Sequence, residues 1–497
     1  METNALQPVT PQSGGATTHA EAPRADLPRR PKVVLLSSQL LTDRMFVYNR
    51  ALATLAQHTD LAIWTTAADQ PEYRRACREI EAQLAPFPEV GPFPERLNLL
   101  RRLNDFAWDF GLSADSRLSL DRHVRRRHQQ KLVRMLRGPA RAVAWLRGET
   151  AFERWLERRL LGYARSPEAS ERLASARPDL VVTTAPFQFL EPAVAAAAIG
   201  LGIPVLAFIP SWDNPTTKTR LVFRYDGYAV WSEQMRRHLL DRVPHSRHAP
   251  VYVTGAPQFD LFFDRAYLRS RRACARSWGL DPNRPIILYC LGSPNFLPEH
   301  HGAIALARRL VAGNLGAAQL LIRPHPQFDD GSLVDMVRPF GPRVAVQRTQ
   351  GRAVRGSARF QTAEQVVEWV NSFRHADVVV NLASTATIDA AVCDRPVVSL
   401  DYDPSPGAPR QELVRDINHR WSHFRPVAES GGVWLSRSLA ETVEAVRAYL
   451  RTPTLHQRGR RWVAEFVCGH VDGGNGGRLV DAVIDFVRRR STPPPRR

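Results

Sequence analysis

Residues 376–401 read ADVVVNLASTATIDAAVCDRPVVSLD, and this stretch decides the predicted fold. Its first apolar run, Val378–Asn381, has the length and composition of a buried parallel strand. A second apolar run, Val397–Leu400, follows after a helical segment and a turn. Three hydroxyl residues stand where that helix should begin: Ser384, Thr385 and Thr387. The stretch therefore predicts strand, loop, helix and strand, which is the repeating unit of a parallel α/β sheet.

The loop at the start of this helix has the chemistry of an anion site. Free backbone N–H groups, the helix dipole and hydroxyl side chains converge there, and together they suit a phosphate. Asp389 follows one helical turn later, where it binds a ribose hydroxyl, orients the loop or is an exposed acid of the first turn. The alternative is a simple helix cap at Ser384 or Thr385. We predict a nucleotide diphosphate at this loop.

Length and composition are those of a soluble globular protein with more than one domain. The chain has 497 residues, 44% hydrophobic and 24% charged. Its formal net charge is +19, and only three of its 68 basic residues are lysines, so attraction to polyanions is expected. Five scattered cysteines without a CxxC pair fit a reducing cytoplasm, and no metal site is predicted.

Strand and helix patterns alternate in two blocks, which predicts two Rossmann-like domains facing a cleft. We expect a disordered, signal-free tail over residues 1–30 and a second tail over residues 491–497. The amino-terminal, acceptor-side domain is placed at 31–265 and the nucleotide-donor domain at 266–490. A helix is predicted from about Arg44 to Ala56, directly after the first strand.

A basic helical insertion is predicted at about 97–161, within the first domain. Between residues 122 and 159 the chain has twelve Arg or Lys against three Glu, interleaved with apolar residues. This pattern indicates either a solvated insertion or a surface for anionic lipid or an acidic acceptor. The uncharged run 192–210 divides into a helix, a glycine turn and a strand, so it is not interpreted as a membrane span.

Two further motifs follow predicted strands directly. Arg323 and His325, in the sequence RPHP, follow the strand 319–322, where an arginine can bind phosphate oxygens and a histidine can donate a proton. SWDNPTTK, at 211–218, follows the strand 205–209 and offers mixed polar chemistry. Asp213 in this loop is the candidate catalytic base. The other acceptor-side candidates are Trp212, Asn214 and Lys218. The alternative for both motifs is a rigid surface turn.

Together these motifs resemble the two-Rossmann-domain (GT-B type) glycosyltransferases. The second half is similar to the CDP-glycerol glycerophosphotransferases and related surface-polysaccharide glycosyltransferases. The loop SWDNPTTK resembles an acceptor-side loop in some of these proteins. The matching pieces are TGAPQFD at 254–260, RPHP at 323–326, STATIDAAVCDRPVV at 384–398 and the segment from Asp472 to Arg478.

The resemblance implies donor-nucleotide contacts for Ser384, Thr385 and Asp389, and pyrophosphate contacts for Arg323 and His325. Thr387 and Arg478 are also assigned to the donor side. The glycerophosphotransferases usually have an acidic-hydroxyl-serine loop ending in Phe-Asp, whereas this chain has Ser-Thr-Ala-Thr-Ile-Asp. This difference favours a sugar over a polyol phosphate as the transferred group.

We therefore expect a cytoplasmic glycosyltransferase, with no cofactor, that moves a sugar from a nucleotide-diphosphate donor to a glycan or a lipid-linked acceptor. The segment 122–159 is a candidate contact with an anionic membrane surface on the inner face of the cell membrane. A non-hydrolysing nucleotide-sugar 2-epimerase of the same architecture is the alternative enzyme. A polyanion-binding protein without catalysis is the alternative from another class, but no motif for specific nucleic-acid recognition supports it.

Overall fold

The computed structural model describes residues 29–491, except 126–129, 164, 188–189, 222, 350–351 and 354–358. The predicted tails therefore lie outside the described residues up to residue 28 and from residue 492 onwards. The chain divides into residues 1–30 and residues 31–497, and the two sheets belong to the second of these units.

The first sheet has seven strands, all parallel, in the order β3-β2-β1-β4-β5-β6-β7. Its strands are β1 Lys32–Ser37, β2 Asp60–Thr65, β3 Gln83–Pro86, β4 Leu180–Thr183, β5 Val205–Phe208, β6 Gly227–Val230 and β7 Val251–Val253. The direction of strand addition reverses between β1 and β4. In open α/β sheets ligands bind at such a reversal, outside the carboxyl ends of the strands.

The second sheet has six parallel strands in the order β10-β9-β8-β13-β14-β15. Its strands are β8 Ile286–Cys290, β9 Gln319–Arg323, β10 Val344–Val346, β13 Val378–Asn381, β14 Val397–Leu400 and β15 Trp434–Ser436. A small antiparallel pair, β11 Arg352–Ala353 and β12 Arg359–Phe360, precedes β13. The prediction of two Rossmann-like sheets is confirmed.

Helices cover both sheets. The α-helices in the first part are α1 Leu40–Phe46, α2 Ala51–His58, α3 Pro71–Glu79, α4 Glu95–Gly111, α5 Asp115–Leu120, α6 Gln130–Trp145, α7 Glu149–Leu161, α8 Pro167–Ala176, α9 Glu191–Gly200, α10 Asn214–Thr217 and α11 Glu233–Arg242. Those in the second part are α12 Arg271–Ser277, α13 His300–Val311, α14 Ser332–Val337, α15 Ala363–His375, α16 Thr385–Val392, α17 Gln411–His419, α18 Arg425–Ala428, α19 Leu439–Arg451, α20 Gln457–Cys468 and α21 Asn475–Ser491.

Two local predictions can be compared with these elements. The single helix predicted from Arg44 to Ala56 was wrong, because α1 and α2 are separated by a turn over residues 47–50. The uncharged run 192–210 forms part of α9, a turn and β5, as predicted. Within the described part of the chain, no helix is both long enough and apolar enough to cross a membrane.

The second sheet is buried on both faces, which explains its continuous apolar strands. In β8, Ile287 and Tyr289 pack into one layer, whereas Leu288 packs into the other. The layer that holds Leu288 is continuous with the core of the first sheet. Because one apolar core joins both sheets, their carboxyl ends are held in a fixed relation.

The helical insertion lies between β3 and β4 and consists of α4, α5, α6 and α7. Helices α4 and α6 have a small apolar cluster of their own, formed by Phe106, Ala107, Leu136 and Ala140. The insertion is also tied to the first sheet's loops, since Glu153 forms a buried ion pair with Arg220 at 3.0 Å. The insertion is therefore an integral part of the first half of the molecule.

The connection between the sheets is organised by one carboxylate. Asp260 accepts hydrogen bonds from Asn475 Nδ2 at 2.8 Å and from the backbone N–H of Gly476 at 2.7 Å. It also accepts one from Asn49 Nδ2 at 3.1 Å. These bonds hold the start of α21, which returns to pack against the first sheet: a Cβ added at Gly227 would lie 2.7 Å from Phe486.

Replacing Asp260 by alanine is expected to destabilise the fold by about 3 kcal/mol, because buried donors on Asn475 and Gly476 would lose their acceptor. Asp260→Asn keeps one acceptor oxygen and should lose less. Urea denaturation measures both free energies of unfolding. The exposed Asp241→Ala serves as the control, and equal stability of the Asp260 and Asp241 variants would contradict the role given to Asp260.

Candidate functional site

The loop after β13 is shaped by Asn381. Its side-chain oxygen accepts hydrogen bonds from the Ser384 N–H at 3.2 Å, the Ser384 hydroxyl at 3.3 Å and the Thr387 hydroxyl at 3.0 Å. Ser384 Oγ also accepts from the Ala386 N–H and so caps α16. Two of the three predicted hydroxyls therefore build the loop, and Thr387 is fully buried. Their contact with a donor stays a prediction.

Arg323 and His325 lie together at the carboxyl end of β9. The Arg323 side chain is buried and donates to Gln347, and burial lowers its pKa. His325 is half-buried, and its Nδ1 accepts the Gln327 N–H at 3.2 Å. Burial lowers the pKa of His325 to about 4, with further lowering by the positive charges of Arg323 and Arg44. At neutral pH the ring is therefore uncharged, and since Nδ1 accepts, its proton is on Nε2, available for donation.

Asp389 is buried in the same cluster, so the alternative of an exposed first-turn acid was wrong. Burial raises the pKa of its carboxyl to about 7, although Arg44 and Arg323 oppose this shift. Trp369 donates to this carboxyl, whereas Oδ1 has no hydrogen-bond partner among the described residues. A carboxyl with a pKa near 7 beside two arginines is typical of functional sites.

Arg44 completes the cluster from the first half of the molecule, and sequence analysis did not identify it. It lies on α1, after β1, and its guanidinium carbon is 4.1 Å from the Trp369 ring centroid. Its Nε donates to Gln361 Oε1 at 2.5 Å. The only signal for Arg44 in the sequence was its position after the first predicted strand, because its partners Trp369 and Gln361 lie in a distant part of the chain. Positive side chains from both halves thus meet at one place.

The loop 211–218 reaches this region through Trp212. The buried Trp212 indole donates to Thr385 Oγ1 at 3.5 Å and lies edge-on to His423, with ring centroids 5.1 Å apart. The hydroxyl of Thr216 forms a 2.8 Å hydrogen bond with His423 Nδ1. Two of the three predicted motifs therefore touch directly. The indole contacts the donor-side loop, although we assigned it to the acceptor side.

Asp213 is held inside its own loop. It accepts hydrogen bonds from Ser211 Oγ at 2.5 Å and from Thr217 Oγ1 at 2.8 Å. Burial alone would raise its pKa, but Lys218, His423 and these hydroxyls hold the pKa below its ordinary value. Asp213 is consequently ionised at neutral pH and weakly basic, and its predicted role as the base stays a prediction.

The remaining predicted residues have separate surroundings. Asn214 is buried and donates to Asp213 at 3.3 Å, while Lys218 is exposed. Arg478 forms an ion pair with Asp472 and donates to Asn475 Oδ1 at 3.1 Å. No contact seen among the described residues joins Arg478 to Arg323 or Asp389, so the donor role of Arg478 stays a prediction.

Solved structures of similar fold were found for nearly the whole chain. A UDP-GlcNAc 2-epimerase from Neisseria meningitidis bound to UDP-GlcNAc aligns with a TM-score of 0.52 and 12% identity, over 91% of this chain and 100% of that chain. A putative UDP-N-acetylglucosamine 2-epimerase from Listeria monocytogenes aligns with a TM-score of 0.52 and 12% identity, over 93% and 98%. The chain has a GT-B fold.

A glycosyltransferase from Rickettsia africae aligns over 93% of this chain and 100% of that chain, with 9% identity and a TM-score of 0.49. No protein-family model and no curated protein sequence matches the chain. The similarity of its second half to the CDP-glycerol glycerophosphotransferases therefore stays a prediction, whereas the GT-B architecture is confirmed.

The titration of His325 tests the cluster directly. In the free protein we expect half-protonation near pH 4. Arg44→Gln should raise the pKa, because it removes one of the two positive charges that lower it. NMR of the histidine ring, assigned with His325→Gln, measures the shift. An unchanged pKa in Arg44→Gln would contradict the proximity of the two side chains.

Proposed function

We propose that this protein is a glycosyltransferase that moves a sugar from a nucleotide-diphosphate donor to an acceptor hydroxyl in surface-glycan biosynthesis. The observation that supports it is the meeting of Arg44, Arg323 and His325 beside the amino terminus of α16. Two guanidiniums, a neutral histidine donor and the positive end of the α16 helix dipole form an environment suited to a diphosphate. The position, at the carboxyl ends of strands in both sheets, is where GT-B-like sheets bind ligands.

The reaction would use these groups to stabilise the leaving nucleotide. The acceptor oxygen bonds to the anomeric carbon, and the bond from that carbon to the diphosphate breaks. Negative charge then develops on the diphosphate, where Arg44 and Arg323 stabilise it and His325 donates from Nε2. The hydroxyl proton goes to a carboxylate. Asp213 is the proposed base on the acceptor side.

The first candidate donors are uridine diphosphate sugars. The N. meningitidis epimerase of this fold was solved with UDP-GlcNAc. Calorimetry should therefore measure the affinity of the protein for UDP, GDP, CDP and dTDP and for the corresponding nucleotide sugars. Product analysis with donor alone, and with donor plus a glycan acceptor, separates the two enzyme classes: an epimer formed without acceptor indicates the 2-epimerase. Absence of binding to all four nucleotides would remove the proposal.

Arg44→Gln is expected to weaken donor binding. A hydrogen bond to a charged group contributes about 1.5–3 kcal/mol, so roughly a tenfold to hundredfold loss of affinity follows. Arg323→Gln should have a similar effect, and the exposed Arg309→Gln, which removes the same charge elsewhere, should have none. Calorimetry with UDP measures all three. Equal affinity of the Arg44 and Arg309 variants would show that Arg44 does not contact the donor.

We also propose that the turn between α6 and α7 contacts an anionic membrane surface. Trp145 is 83% exposed and Leu146 is 69% exposed at this turn. Residues 135–161 carry six arginines and three glutamates. Two of those glutamates, Glu153 and Glu157, form ion pairs with arginines outside the segment. The surface therefore combines exposed apolar side chains with an excess of positive charge, a combination that binds anionic lipid.

Vesicle flotation tests this surface. The full chain should float with vesicles containing phosphatidylserine and should not float with pure phosphatidylcholine. Trp145→Ala/Leu146→Ala should reduce the floated fraction several-fold, because these side chains supply the buried apolar area. Val311→Ala/Trp462→Ala, which removes exposed apolar side chains elsewhere, is the matched control. Equal flotation of both double variants would refute the assignment.

A further inference from the structure

A groove in the first half of the molecule lies outside the cluster of Arg44, Arg323, His325 and Asp389, which is called the donor cluster below. Its outer part has a volume of about 760 Å³ and opens beside the carboxyl end of β3, with Phe87, Glu89, Tyr163, Arg165 and Glu168 among its walls. A narrow inner pocket adjoins it, and Tyr163 and Arg165 line both parts.

The inner pocket contains a concentration of arginines on apolar walls. Arg101, Arg165 and Arg220 line it together with Phe93 and Phe187. The guanidinium carbon of Arg165 lies 4.5 Å from the Phe93 ring centroid, and that of Arg101 lies 5.6 Å from it. Arg165 Nη2 donates to the Gly91 carbonyl at 3.1 Å and Arg101 Nη2 donates to Asn98 Oδ1 at 3.3 Å. A guanidinium has five N–H donors, so these bonds do not exhaust its capacity to bind an anion.

The charges in the inner pocket favour an anion. Burial lowers the pKa of Arg165, and the positive charge of Arg101 lowers it further, so the two guanidiniums repel each other. Arg220 is balanced by Glu153, and Asp105 acts on Arg101. An anionic group between Arg101 and Arg165 would relieve the repulsion between them.

The outer groove has different chemistry. Tyr163 is 45% exposed and provides an aromatic surface of the kind on which a sugar ring stacks. Glu168 forms an ion pair with Arg172 and accepts the Glu89 N–H at 2.6 Å. The carboxylates of Glu89 and Glu168 are hydrogen-bond acceptors suited to sugar hydroxyls. The outer groove thus fits polar, uncharged groups, whereas the inner pocket fits an anion.

The groove lies next to the loop that reaches the donor cluster. The hydroxyl of Thr219 donates to the Phe187 carbonyl at 3.4 Å, and Arg220 is the next residue. The same chain segment therefore contacts Thr385 through Trp212 at one end and lines the inner pocket at the other.

We propose that this groove binds an acidic glycan, with a carboxylate or phosphate substituent between Arg101 and Arg165 and the sugar rings along Tyr163. The proposal rests on the proposed transferase function, for which this glycan is the acceptor. It goes beyond that function because it specifies that the acceptor is negatively charged and that it binds in this groove.

Calorimetry with defined saccharides tests the groove. The probes are a glucuronate-containing tetrasaccharide, glucose 1-phosphate, and the neutral maltotetraose, with farnesyl phosphate to detect a lipid phosphate site instead. The full chain should bind the acidic tetrasaccharide at least tenfold more tightly than maltotetraose. Preference for glucose 1-phosphate over the tetrasaccharide identifies phosphate as the anion and also supports the proposal. Equal binding of acidic and neutral probes, or preference for farnesyl phosphate, overturns it.

Variants separate this site from general attraction to a basic protein. Arg165→Gln should lose at least tenfold in affinity for the acidic tetrasaccharide, and Arg165→Lys should recover part of it. Arg309→Gln removes an equal charge elsewhere, so a similar loss in both variants would overturn the proposal. UDP affinity of Arg165→Gln should equal that of the wild type. If the wild type does not bind UDP, the proposed function is wrong. The saccharide affinities still show independently whether the groove binds an acidic glycan.

Discussion

The carboxylate of Asp260 fixes the relation between the two halves on which the site depends. It joins the connection between the sheets to the start of α21 and to Asn49, in the turn after α1. The same turn is held from the second half, because the Tyr48 hydroxyl donates to the Gln361 carbonyl at 2.5 Å. Arg44, four residues earlier, is thereby kept over Trp369. A long arginine side chain loses much rotamer freedom when buried, so its position needs this support.

Burial then sets the protonation states around Arg44. It lowers the pKa of His325 and raises that of Asp389, because in both cases it disfavours the charged form. The fixed positive charge of the cluster therefore comes from Arg44 and Arg323. An arriving diphosphate would place negative charge near Asp389 and raise its pKa further, so donor binding favours the protonated carboxyl. In that form Asp389 can donate a hydrogen bond to the donor instead of repelling it.

The sequence was sufficient for those elements whose signal is local. Val378–Asn381 and Val397–Leu400 match the structure because buried parallel strands need continuous apolar runs. The rule that ligands bind at strand carboxyl ends likewise indicated that Arg323, His325 and Asp389 lie near one another. The edge strands β3 and β15 were missed because they are short and only partly buried.

Side-chain partners that lie far apart in the chain could not be predicted. Arg44 has no local motif, and its contacts with Gln361 and Trp369 exist only in the folded molecule. The same holds for Trp212, whose indole turns towards Thr385. Asp213 fits the pattern of a base in sequence, yet its own neighbours occupy its oxygens. For Trp212 and Asp213 the loop position was predictable, but the direction of the side chain was not.

The segment 211–220 bears on the choice between transferase and epimerase. Its first turns are rigid, because Asp213 accepts hydrogen bonds from residues on both sides of it. Trp212 contacts the donor-side loop, whereas Arg220 lines the groove beside the insertion. A rigid element between the proposed donor site and the proposed acceptor groove would keep two substrates in a fixed relation, which a transferase requires for the acceptor oxygen to reach the anomeric carbon. An epimerase acts on one substrate and has no such requirement, so this element favours transfer.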